Sequence, residues 1–174
     1  MKKEKNNMVI TIFILTFILS ICFSAVSNVV AASFNEIVLF LILVIVIAIG
    51  VVFDMVGMAA VSASEATFHS MSSKKIKGAK ECISLIKNSS SISSICQDVI
   101  GDVCGVISGS LGAVLAISLS TTTGIDNTII SVLLSAFVST ATVGGKAICK
   151  PIAMKNADKI LHLVGKIKNM LRIK

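Results

Sequence analysis

The sequence predicts an all-α integral membrane protein with four transmembrane helices, a three-span core preceded by an N-terminal span, and amphipathic helices at the interface. Three observations predict it. Of the 174 residues, 55% are hydrophobic and 14% charged, with a mean hydropathy of +0.95, whereas soluble domains carry about 25% charge. The 16 basic residues fall in three blocks: Lys2, Lys3 and Lys5; Lys74, Lys75, Lys77, Lys80 and Lys87; and the run from Lys146 to Lys174. The connections Ser33–Glu36 and Ser120–Asn127 hold no Lys or Arg, so an even number of spans with both termini inside puts every block on the cytoplasmic side. Finally, the apolar stretch Val99–Ala116 carries Gly101, Gly105, Gly109 and Gly112. Glycines four apart share one bare stripe of a helix, against which another helix packs closely.

The first span is Met8–Ala32, behind the basic start MKKEKNN. Its apolar run exceeds the roughly 7 to 15 residues of a signal core, which favours an uncleaved signal-anchor over a cleaved signal. The second begins at Ile37. A single helix from there to Phe68 would be about 48 Å long, against a hydrocarbon core of about 30 Å. Either the helix breaks near Gly57 and Ser62-Ala63-Ser64, or the residues from Ser62 onward extend into the cytoplasm. Ile76, Ala79, Ile83 and Ile86 then recur at helical spacing opposite lysines, the pattern of a short helix lying on the inner leaflet. Residues 89–94, SSSISS, read as a polar connector to the third span, Ile95–Leu119.

The third span carries Asp98 and Asp102 one helical turn apart. After the loop STTTGIDN comes the fourth, Thr128 to about Ile148, with Ser131, Ser135 and Ser139 as a weakly polar stripe suited to the glycine stripe of Gly105, Gly109 and Gly112. Beyond Pro151, the tail sets Ile160, Leu161, Val164, Ile167 and Leu171 on one face of a basic amphipathic helix that binds an anionic inner leaflet. The implied organisation is residues 1–36 for the first span and outer loop, 37–153 for the core and 154–174 for the juxtamembrane helix.

Acids inside a span are costly and mark ion or proton sites. Asp102 is therefore the leading candidate. Asp98 sits where an acid favours the positive end of a helix, and Asp54 lies near the inner boundary. The five cysteines form no CxxC pair and read as apolar packing residues. No nucleophile, base and orienting group stand together, so an enzyme is not expected. The distribution of the lysines around apolar spans argues against nucleic acid as a partner.

Three pieces resemble the DUF21 transmembrane domain of the CorB/CorC and cyclin M (CNNM) magnesium and cobalt transport proteins. Ser62-Ala63-Ser64-Glu65-Ala66 with Phe68 is similar to that family's SASETALF. Val99-Ile100-Gly101-Asp102 is similar to its LIGN, and Gly145–Asp158, GKAICKPIAMKNAD, to its GEIIPKTIALRNPE. Order and spacing match from Ser62 to about Lys168. The resemblance implies a multi-pass plasma-membrane protein, a homodimer, and a dehydrated cation such as Mg²⁺ or Na⁺ held or transported within the bundle at Ser62, Ser64, Gly101 and Asp102. Such ions take hard oxygen ligands.

Lys146 departs from the pattern, standing where the family has glutamate. An ammonium there repels a cation at close range. Either it pairs with Asp102 or Asp54, turning the ion site into a salt bridge, or it reaches along the helix to the headgroups and leaves the acids free. The first alternative describes a non-transporting interaction or regulatory protein.

Overall fold

A computed structural model describes residues 34–170 and, ahead of them, residues 14, 17, 18, 20–27 and 29. The predicted first span therefore lies largely outside the described residues, although residues 20–27 are helical. The described chain is helical throughout: α1 (Glu36–Ser62), α2 (Glu65–Ser73), α3 (Ala79–Lys87), α4 (Ser89–Ser94), a π-turn (Ile95–Ile100), α5 (Gly101–Thr123), α6 (Asn127–Lys155) and α7 (Ala157–Met170). Three stretches are long and apolar enough to cross a membrane, namely Glu36–Ser62, Ser89–Thr123 and Asn127–Lys155, as in an all-α membrane protein. Their outward residues, including Ile37, Leu41, Ile117, Val132 and Leu133, are large and exposed, which suits lipid as the surrounding solvent.

Two compact units divide the chain. The first comprises the described parts of Met1–Ile49 and Asp102–Thr142. Leu39, Leu43 and Ile47 recur every fourth residue on α1 and are buried, as are Leu111, Leu115 and Ala116 on α5 and Ile130 on α6. Phe40 and Phe137 meet with ring centroids 5.8 Å apart. At the start of α1, Glu36 accepts hydrogen bonds from the hydroxyls of Ser118 and Thr122. Asp126 caps α6, its carboxylate accepting the Thr128 N–H at 2.7 Å, and satisfies a donor the helix leaves free.

The second unit, Gly50–Gly101 with Val143–Lys174, holds the short helices. Helix α1 stops at Ser62. Ser64 is extended, with φ −86° and ψ 118°, before α2 begins, so the break forms at Ser62-Ala63-Ser64, while Gly57 stays inside a continuous helix. Ala60, Phe68, Cys82 and Leu161 make the core of this unit, with Met71, Ile83, Ile86 and Ile92 packed around it. Helix α7 crosses α3 so closely that a Cβ on Gly165 would fall on the Cys82 sulfur and 2.7 Å from the Gly78 carbonyl oxygen.

Two sequence expectations are corrected here. The connector SSSISS is itself helical and runs without interruption into the third span, because serine is only a weak helix breaker and no Gly or Pro intervenes. The fourth span continues past Ile148 through Pro151 to Lys155.

Candidate functional site

The polar centre of the second unit forms where α1, the π-turn and α6 come together. Gly57 makes room for the π-turn: a Cβ there would lie 3.0 Å from both Cγ and Nε2 of Gln97 and 3.2 Å from Cys96 Cβ. Gln97, half-buried, donates from Nε2 to the Ser93 hydroxyl at 2.9 Å. On the other side Gly145 brings α6 against α1, a Cβ there falling 3.0 Å from Val51 Cγ2. These approaches set Lys146 beside Asp54, with Nζ 3.8 Å from Oδ1 and side-chain exposures of 32% and 15%. That separation allows Coulomb attraction but is too long for a direct hydrogen bond. Gly101 completes the wall, since a Cβ on it would sit 3.4 Å from Lys146 Nζ. Of the two partners open to Lys146 in the sequence, Asp54 is the one it pairs with.

The first and third motif pieces meet at the break. The carboxylate of Asp158, second residue of α7, accepts the Ser64 backbone N–H at 2.9 Å. Ser62, Ser64, Lys155, Asn156, Asp158 and Lys159 line a cavity of 490 Å³ there. Its oxygen donors suit a hard cation, but two ammonium groups in the same wall oppose one. Among the described residues no three His, Cys, Asp or Glu side chains gather as a metal site.

Asp98 lies in the π-turn and is exposed. The α-helical spacing that puts it on one face with Asp102 does not set its direction in a turn wound one residue wider. Asp102, in the first turn of α5, is exposed in the first unit.

In the first unit, Gly105, Gly109, Gly112, Ser131, Ser135 and Ser139 border one groove of 340 Å³. The two stripes face that space and are not interlocked. A Cβ on Gly105 or Gly109 would meet nothing within 4 Å, and one on Gly112 would meet only Val138, at 3.6 Å.

Sequence reading assigned no role to Gln97, and to Asp158 only a place at the end of the third motif piece. The signal for Asp158 was present in Asn156-Ala157-Asp158, an acid in the first turn of a helix, whereas its acceptor role depends on a backbone donor 94 residues away. Gln97 gave no signal, because a π-turn has no periodic signature of its own.

Compared with known proteins, the chain matches no family model, no curated protein and no solved structure.

Proposed function

We propose that this chain is a small multi-pass membrane protein of DUF21-like build in which Lys146 supplies the positive charge that a bound ion supplies in the transport proteins, leaving a non-transporting interaction or regulatory module. The observation that carries this reading is the seat of the ammonium, 3.8 Å from Asp54 and against Gly101. A cation entering there would face a fixed like charge, and in a low-dielectric interior that repulsion outweighs the attraction of one already paired carboxylate. The open groove along Gly105, Gly109 and Gly112 offers backbone-close packing to a partner helix, most simply that of a second copy. The basic blocks favour a plasma-membrane topology with both termini cytoplasmic.

A second reading, cation binding or transport, is favoured by the shared cavity of Ser62, Ser64 and Asp158. Reconstituted vesicles with a Mg²⁺-sensitive dye inside separate the two. Under the first reading the native chain gives no saturable Mg²⁺ flux, and Lys146→Glu gains Mg²⁺ binding. Flux through the native chain that is lost in Asp102→Ala and Ser64→Ala would establish the second.

The salt bridge has its own test. Lys146→Met leaves a membrane acid without its partner and lowers stability by about 1 to 2 kcal/mol, moderated by the partial exposure of the lysine. Adding Asp54→Asn recovers most of that loss in a double-mutant cycle. Purely additive losses would mean that the pair contributes no coupling.

A further inference from the structure

We infer that α7 docks lengthwise on the headgroup layer of an anionic bilayer through a second apolar stripe, Leu163, Ile167 and Met170, bordered by Lys159 and Lys166. The sequence pattern assigns lipid binding to the face containing Leu161. In the structure the Leu161 edge of that face is already used: Ala157, Leu161 and Gly165 are buried, and the Leu161 carbonyl accepts the Cys82 thiol at 3.2 Å, whereas Ile160 and Val164 are half-buried and Ile167 is exposed. The side of α7 turned away from Leu161 is left outward, with Leu163 and Met170 exposed by 61% and 76% and Ile167, at the border with the predicted apolar face, by 45%. Their spacing of four and then three residues makes one continuous helical stripe. Lys159 and Lys166 lie a turn to either side of Leu163 on the same outer surface and are exposed.

Charge identifies the occupant. Residues 65–87 and 157–170 together hold eight lysines against Glu65, Glu81 and Asp158. Each acid is engaged inside the unit: Glu65 with His69, Glu81 with the Asn169 amide, and Asp158 with the Ser64 N–H. None of the eight lysines forms an ion pair among the described residues; Lys80 and Lys168 act on Glu81, while Lys159 and Lys166 are exposed. Helix α7 starts two residues after Lys155, where the α6 candidate span ends, and a helix that follows a span so closely emerges at the interface. A lysine-flanked apolar stripe matches that interface, with side chains entering the acyl boundary and ammonium groups at the phosphates. A nucleic acid would have no use for the exposed Leu163 and Met170.

The native chain has no Trp, so Leu163→Trp in the full chain is a single reporter, with Met170→Trp as a second site should the first disturb folding. Each is reconstituted in phosphatidylcholine vesicles, with or without phosphatidylglycerol, carrying brominated acyl chains. With phosphatidylglycerol the emission shifts to the blue and is quenched by the brominated lipid. Lys159→Gln and Lys166→Gln each reduce the docked fraction relative to undocked by about fivefold, and added salt acts in the same direction. Three results would overturn the inference: equal quenching in the two lipid compositions, continued quenching by aqueous acrylamide in both, or protection by added single-stranded RNA in place of phosphatidylglycerol.

Discussion

At the scale of single residues, the second unit depends on places where a side chain is missing. Gly165→Ala improves helix propensity by about 1 kcal/mol, yet its methyl group would collide with the Cys82 sulfur and the Gly78 carbonyl, which is backbone and cannot turn away. Overpacking of this kind costs about 1 to 3 kcal/mol, so thermal unfolding in detergent should show a lowered Tm despite the better helix former. Cys82 offers a second test, because burial pushes its thiol from 9.0 up to about 11. Below pH 9 the folded and unfolded states are both protonated. Between pH 9 and 11 the folded state holds a proton that the unfolded state releases, so stability falls as pH rises through that window. At pH 8 alkylation of Cys82 by iodoacetamide should be far slower than in denaturant, since the thiolate is the nucleophile; equal rates would place the thiol at the surface. Neither feature was legible beforehand. The sequence shows cysteine and glycine as small residues, and only the α3–α7 crossing turns their size into a requirement.

Single elements show where periodicity and length suffice as evidence. An apolar run from Ile37 to Phe68 outlasts a bilayer, so a break near Gly57 and Ser62-Ala63-Ser64 is one of two alternatives open in the sequence, and the helix ends at Ser62. The sequence places the start of α6 at Thr128, one residue after its observed start at Asn127, and the chemistry of its cap makes a pH prediction. Hydrogen bonds from Thr128 hold the Asp126 carboxyl below its ordinary value of 3.8. Its contribution to the helix is therefore present above that value and disappears as pH falls through the lowered pKa. Asp126→Ala should fray the first turn of α6, measurable as faster hydrogen exchange at Ile129 and Ile130, whose amides bond to the Asp126 carbonyl, while Asp126→Asn preserves the cap. The π-turn was not readable, since it has no periodic signature and its Gln97 packs against Gly57, a tertiary contact. The apolar face of α7 is visible in the sequence, but its Leu161 edge packs on protein while Ile167 stays exposed, a division that amphipathicity alone does not reveal.

For the whole molecule, the class of structure follows from composition and the arrangement of the candidate site does not. Three apolar helices of span length predict that the chain stays in the pellet when membranes are washed with alkaline carbonate and leaves only with detergent; release by carbonate would refute a spanning topology. The partner of Lys146 was open between two acids because both lie at plausible depths, and the choice of Asp54 rests on Gly145 letting α6 approach Val51. The joining of Ser64 to Asp158 has a consequence in time. A peptide chain is made at about 5 to 20 residues per second, so a donor and acceptor 94 residues apart are separated by about 5 to 20 seconds of synthesis. From the completion of α3 at Lys87 to the end of that interval, α2 and α3 exist without Leu161 to close over Phe68 and Cys82. Until its last described helix emerges those two residues lack the cover of Leu161, which makes the interval before α7 a period when the nascent chain is open to chaperones and proteases.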